Sequence, residues 1–285
     1  MASRPISGII KHPTAIMAGR QHLSATSFKP KNVDATEKAK LFREQGVVWI
    51  SPTRGRIYTN VVCSWLSLQW PTNHLRSPLL ATENMEVASA YNYLVKLAMD
   101  RKQLRQGFQP QYADLFADSP FILTTEEDNV LPSETPIRLL EAIMTCPDCG
   151  GEVLSPKWKC AKGHQGYDAV SGLYFIKTDP PIPMAFGKPT FDKRKLNFHP
   201  LSVVDAIKRG KVIECNGIAM GAALWRKDLF RRVKNTKNNP WFKTTPSFTQ
   251  DLWFCKRAKL EAHARFGVHC GVRVGHFDAA TGALY

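Results

Sequence analysis

No stretch of this chain approaches the ~20 consecutive apolar residues that a membrane-spanning helix requires. A secretory core is missing too, because Ile9, Ile10, Ala15 and Ile16 are interrupted by Lys11, His12 and Pro13. Together these absences set up the expectation of a soluble, cytoplasmic protein. There is no internal repeat and no long low-complexity segment. The turn at residues 51–56 has one glycine and no lysine, which argues against the Gly-rich, Lys-bearing phosphate loop of a nucleotidyltransferase. Seven cysteines, an odd number, argue against a disulfide framework. Acids are few for the number of bases, 24 against 39 in 285 residues, and the net charge is +15.

That charge is unevenly spread. Residues 1–46 carry +5, residues 47–185 carry −2, and residues 186–285 carry +12. A basic face draws in polyanions, so a nucleic-acid partner is compatible with the C-terminal excess; a solvated surface accounts for it equally well. Residues 1–45 are polar and aperiodic and read as a basic, partly disordered extension.

Apolar runs at 47–50, 172–176 and 268–274 read as strands. Helical spacing appears at 57–69, 86–104, from Thr135 onward, and at 249–264. The Pro-rich run at 179–189 reads as a loop, and residues 212–224 as a strand and turn. Strands alternating with helices predict an α/β fold with a mostly parallel central sheet and helices on both faces.

Two clusters carry chemistry. The first is Glu126-Glu127-Asp128, directly after the apolar run Phe121-Ile122-Leu123. Strand alternation would aim Glu126 and Asp128 one way and Glu127 the other. Two carboxylates on one face make half a site for Mg²⁺ or Mn²⁺; an acidic turn is the plainer alternative. The second is Cys146, Cys149, Cys160 and His164, spaced C-x2-C-x10-C-x3-H. Two close pairs across a short loop suit a four-ligand, structural zinc, which makes residues 146–165 a zinc-ribbon-like insert. Cys63, Cys215, Cys255 and Cys270 read as core residues.

Taken in order, four segments resemble the GT-A type, family-2-like nucleotide-sugar glycosyltransferases. They are the opening strand and turn at 47–56, the helix containing Tyr91 and Asn92, the acid-tipped strand in the place of the DxD motif, and Thr249-Gln250-Asp251-Leu252-Trp253-Phe254 followed by Val274-Gly275-His276. The pattern departs from the family at Glu126 for Asp, at Gln250 for Glu, and at Tyr91 where many relatives have Arg.

The resemblance implies a GT-A sandwich whose donor-binding half spans 46–145 and acceptor-binding half 166–285. It implies sugar transfer from a nucleotide-diphosphate donor, a UDP-sugar, to an acceptor hydroxyl. Glu126, Asp128 and His276 would hold a catalytic Mn²⁺ or Mg²⁺, and Asp251 would be the general base; without the resemblance, Asp251 reads as an N-cap. Thr53, Arg54 and Asn92 would meet the nucleotide, and Asn129 the ribose or sugar. The charge bias suggests a modified-DNA acceptor. A surface-glycan acceptor and a non-catalytic, zinc-containing nucleic-acid-binding protein are the alternatives.

Overall fold

The computed structural model describes residues 46–71, 75–154 and 156–285; the extension expected at 1–45 lies outside them. The chain runs through β1 (Val47–Thr53), α1 (Thr59–Leu66), β2 (Leu80–Glu83), α2 (Val87–Met99), α3 (Arg101–Gly107), α4 (Pro110–Asp118), β3 (Phe121–Thr125), β4 (Asn129–Val130) and α5 (Thr135–Ile143). After residues 146–165 come β5 (Ala169–Leu173), β6 (Phe175–Ile176), β7 (Ile182–Pro183), β8 (Ala185–Phe186), α6 (Val204–Arg209), β9 (Val212–Cys215), β10 (Gly217–Ile218) and β11 (Ala222–Arg226). The last elements are α7 (Lys227–Arg232), α8 (Gln250–Ala262), β12 (Phe266–Arg273) and β13 (Gly275–His276).

Seven strands form one sheet in the order β2-β1-β3-β11-β5-β12-β9. Five of them run the same way; β11 and β9 run against them. The fold is thus mixed α/β around a mostly parallel sheet. Strands from both sides of the cysteine segment share that sheet, through the β3–β11 pairing.

The side-chain period of two places an apolar row on each face. Val48, Ile50, Ile122, Ala223 and Trp225 pack under α2, α4, α7 and α8. Val47, Trp49, Phe121, Leu123 and Leu224 pack against α1, α5 and the cysteine segment. Trp225 is fully buried, its ring 5.6 Å from Phe254, and its indole N–H donates to Thr124 Oγ1 at 3.0 Å. Burying a side chain of this size contributes roughly 1.5–3 kcal/mol.

Several boundaries differ from the sequence reading. The helix expected over 86–104 breaks at Asp100, whose carboxylate accepts from Lys102 N and Gln103 N and starts α3; a short acceptor side chain favours such a cap over a helix interior. The Pro-rich loop contains the short strands β7 and β8. β2 and α4 had no reading of their own.

The first strand also runs past Ile50 to Thr53, through Pro52. β3 pairs with β1 only as far as Ile50, whereas β2 pairs from Ile50 to Thr53. Beyond Ile50 the β3 side of β1 is an edge, where a residue without an N–H is tolerated.

Candidate active site and metal centre

That early end to the β1–β3 pairing opens a cleft. Of the neighbours of β1, β2 lies to one side and β3 to the other, so the chain reverses its winding here, at the place where open α/β sheets bind ligands. The cleft holds about 380 Å³ and is walled by residues 52–54 at the end of β1, 85–87 at the start of α2 and 126–128 after β3. Thr53 and Arg54 are therefore on its wall.

The three acids do not continue the strand. β3 ends at Thr125, and residues 126–129 form a turn closed by Asn129 N–H donating to Glu126 O at 3.0 Å. Strand alternation thus fails as an account of their directions: each carboxylate has a different partner. Glu126 accepts from the buried Tyr91 hydroxyl at 2.8 Å. Glu127 accepts from Arg54 N at 2.6 Å and pairs with the Arg54 guanidinium. Asp128 Oδ2 accepts from Lys177 Nζ at 2.8 Å and lies 3.2 Å from His276 Nε2. Glu126 and Asp128 share no bonding partner, and Arg54 is committed to Glu127.

Their protonation follows these surroundings. Burial, then repulsion by Asp128, pushes Glu126 up to about 8, against the Tyr91 hydrogen bond. Burial alone would raise Asp128 as well, but hydrogen bonds and charge from His276 and Lys177 outweigh it and hold Asp128 at about 2.

His276 arrives through β13, which pairs with β4 so that His276 faces Asn129. Its Nδ1 lies 2.8 Å from the carbonyl of Phe175, which a ring N–H there satisfies. In the neutral ring Nε2 then carries a lone pair aimed at an ionised carboxylate, an arrangement that calls for a proton or a metal ion between them. A spacing of 3.2 Å matches the ~3 Å edge of an octahedral Mg²⁺ or Mn²⁺ shell, so these two residues fit such an ion. Lys177, absent from the sequence reading, is the rival cation. A lone lysine one residue past β6 carries no sequence signature; only the placement of β6 beside β13 reveals it.

Asp251 lies in the first turn of α8 but is not the N-cap; Thr249 holds that position. The Asp251 carboxylate accepts from Leu252 N at 2.8 Å and from the Thr249 hydroxyl. Burial raises its pKa despite those two bonds. Its charge is felt at Glu126, Tyr91 and Tyr174, so α8 brings it to the polar cluster of the acidic turn. Neither Asp251 nor His276 forms the cleft wall.

Asn129 is fully buried, and among the described residues both polar atoms of its amide lack a protein partner. It presses on Gly221, where an added Cβ would stand 2.0 Å from Asn129 Oδ1 and 2.8 Å from the Tyr174 hydroxyl. Asn92 is placed elsewhere. Its amide donates to Ala88 O and Phe242 O at 2.8 Å and accepts from Phe242 N at 3.2 Å. The cleft does not include it, and these bonds leave it tying α2 to the segment before α8.

Cys146, Cys149, Cys160 and His164 come together, with their ligand atoms all within 4.8 Å of one another. Cys149 Sγ lies 3.6 Å from Cys160 Sγ, and Cys146 Sγ 3.9 Å from His164 Nδ1. A tetrahedron with ~2.3 Å zinc–sulfur bonds has edges near 3.8 Å, so the cluster can hold a structural zinc. Each knuckle turns on a left-handed glycine, Gly150 at φ 70° and Gly163 at φ 82°. The segment is anchored to the sheet: Trp158 is buried, its ring 5.3 Å from Phe121 and 4.5 Å from the Arg226 guanidinium, and Arg265 pairs with Asp148 at 2.6 Å.

No family model matches the chain, and no curated protein matches it. Among solved structures it is similar to a crystal structure of A197 from STIV, at 16% identity over 84% of this chain and 92% of that one, with a TM-score of 0.49. A likeness at that score supports no inference about activity. Among the described residues no helix is long and apolar enough to cross a membrane.

Proposed function

We propose that this protein is a GT-A type glycosyltransferase that moves a sugar from a nucleotide-diphosphate donor to an acceptor hydroxyl. The observation that carries the reading is the gathering of Glu126 and Asp128 from the β3–β4 turn, His276 from β13 and Asp251 from α8 around one end of the sheet. That end is where the cleft opens between β1 and β3. A non-catalytic zinc protein gives no role to this set of acids. The anchoring of the cysteine segment through Trp158 and Arg265 favours a stabilising zinc over an exposed reading head.

On this reading the donor lies in the cleft, with its nucleotide against Thr53 and the backbone of Arg54. Asp128 and His276 would hold Mn²⁺ or Mg²⁺, with Glu126 beside them on the same turn. The ion would stabilise charge on the departing diphosphate. Asp251 takes the proton from the acceptor hydroxyl; the acceptor oxygen bonds to the anomeric carbon, and the carbon–oxygen bond to the diphosphate breaks with its electron pair leaving on phosphate. Burial raises Asp251 toward the range where a carboxylate is an effective base.

The test is nucleoside diphosphate release from a panel of nucleotide sugars with Mn²⁺ or Mg²⁺. Asp251→Asn is expected to lower turnover by about 10²–10⁴-fold, the usual size of general-base catalysis, while donor binding by calorimetry persists. Release from no donor, with or without acceptors, would sink the proposal.

A further inference from the structure

Beyond Glu86, which borders both, the cleft gives way to an open groove of about 980 Å³ between the exposed side of α2 and residues 235–244. The groove is pinned together. The Asn92 amide grips both backbone groups of Phe242, and Glu86 accepts from the Thr244 hydroxyl at 3.2 Å. Three lysines line it: Lys96 from α2, and Lys237 and Lys243 from the facing wall. All three are exposed, and among the described residues none makes an ion pair with an acid. Among the described residues the one acid on the groove wall is Glu86, which already accepts from Ser89 N and the Thr244 hydroxyl. Tyr93 stands among them, the residue 49% exposed.

Lys243 Nζ lies 5.6 Å from the centre of the Trp253 ring, but among the described residues no acid neutralises any of the three charges. Positive charge without acid partners along a groove, interleaved with an exposed aromatic ring, is the combination that binds single-stranded nucleic acid: cations track the phosphates and the ring stacks a base. We infer that the groove binds a single strand of nucleic acid, its phosphates on Lys96, Lys237 and Lys243 and a base on Tyr93. A sulfated polysaccharide would satisfy the lysines but has no flat π-face for the ring. Identifying the strand as the acceptor rests on the transfer reading, since the groove leads to the donor cleft at Glu86; the binding itself does not.

The experiment is fluorescence anisotropy with a labelled oligothymidylate of about 20 nucleotides, without donor, at 50 and 200 mM salt. Wild-type protein is expected to bind with a steep salt dependence. A Lys96→Ala/Lys237→Ala/Lys243→Ala variant should bind at least tenfold more weakly, with the log–log salt slope reduced by about 2. Tyr93→Ala should weaken binding roughly 5- to 160-fold. A charge-matched control, Lys208→Ala/Arg209→Ala/Lys211→Ala, removes exposed bases at the end of α6 and just beyond it and should bind as wild type does.

Equal loss in the control, no binding by the wild type, or tight heparin binding together with no effect of Tyr93→Ala on the oligonucleotide would each overturn the inference. A protein that binds the strand but releases no nucleoside diphosphate keeps the groove and loses the transfer reading. Release without strand binding does the reverse.

Discussion

Lys227 is 1% exposed, and its ammonium donates to the carbonyls of Ala98 at 2.8 Å, Phe116 at 2.6 Å and Ala117 at 3.4 Å, with no acid among these partners. It thereby ties the last turn of α2, which walls both cleft and groove, to the last turn of α4. Burial, aided by the like charge of Arg231 and opposed by Asp118, lowers its pKa from 10.5 to about 7. The unfolded chain then binds more protons than the folded one between about pH 7 and 10.5, so this group makes stability rise with pH across that window and level off below it. At ~1.4 kcal/mol per pKa unit, the whole effect is roughly 5 kcal/mol.

Lys227→Met removes the titration and takes the ammonium from the carbonyls of Ala98, Phe116 and Ala117; Phe116 O keeps the Ser119 N–H at 3.2 Å, and a carbonyl left buried without a donor costs about 1–3 kcal/mol. The variant should therefore be clearly less stable than wild type at pH 10, with the gap shrinking by roughly 4 kcal/mol on going to pH 7. Urea denaturation followed by tryptophan fluorescence at unit steps of pH reads this gap directly. A gap constant to within about 1 kcal/mol from pH 7 to 10 would refute the reasoning.

Three further outcomes are expected. Lys177→Met frees Asp128 Oδ2 and should tighten Mn²⁺ binding about three- to tenfold by calorimetry, the scale of a partly exposed ion pair; unchanged or weaker binding counts against a metal at Asp128 and His276. Cys149→Ser should lose zinc measured by elemental analysis, and a variant that keeps one zinc per chain would remove the Cys3His site. Gly221→Ala drives a methyl group into Asn129 and Tyr174 and should lower stability by roughly 1–3 kcal/mol; a wild-type melting temperature would show that this contact is slack.

The cysteine segment was legible because its geometry is local. A C-x2-C turn sets two thiolates a few ångströms apart whatever surrounds it, and only its docking through Trp158 needed the fold. The acidic stretch was legible as a cluster but not in its directions. Alternation at 126–128 presumed a continuing strand, and the turn closed by Asn129 N–H removed the basis for it. Asn92 shows the same limit. It lies on the expected helix, yet its amide is spent on Phe242, 150 residues away. Periodicity likewise predicted one helix over 86–104, because a pattern of apolar residues does not register a capping carboxylate at Asp100.

By itself the sequence determined which residues are apolar, and with them the strands buried on both faces, the α/β class, the zinc-ligand pairs and the presence of a strand-end acid cluster. These depend on spacings of two to a few residues, set by backbone geometry. Only the tertiary structure decided that Lys177 and His276 converge on Asp128, that Asp251 joins Glu126, and that lysines with no acid partner among the described residues face one another across a groove. Those partners are 49, 148 and more than 100 residues apart along the chain, and no local pattern encodes which strand pairs with which. The early end of the β1–β3 pairing opens the cleft, the β4–β13 pairing brings in His276, and the charges then take the partners within reach.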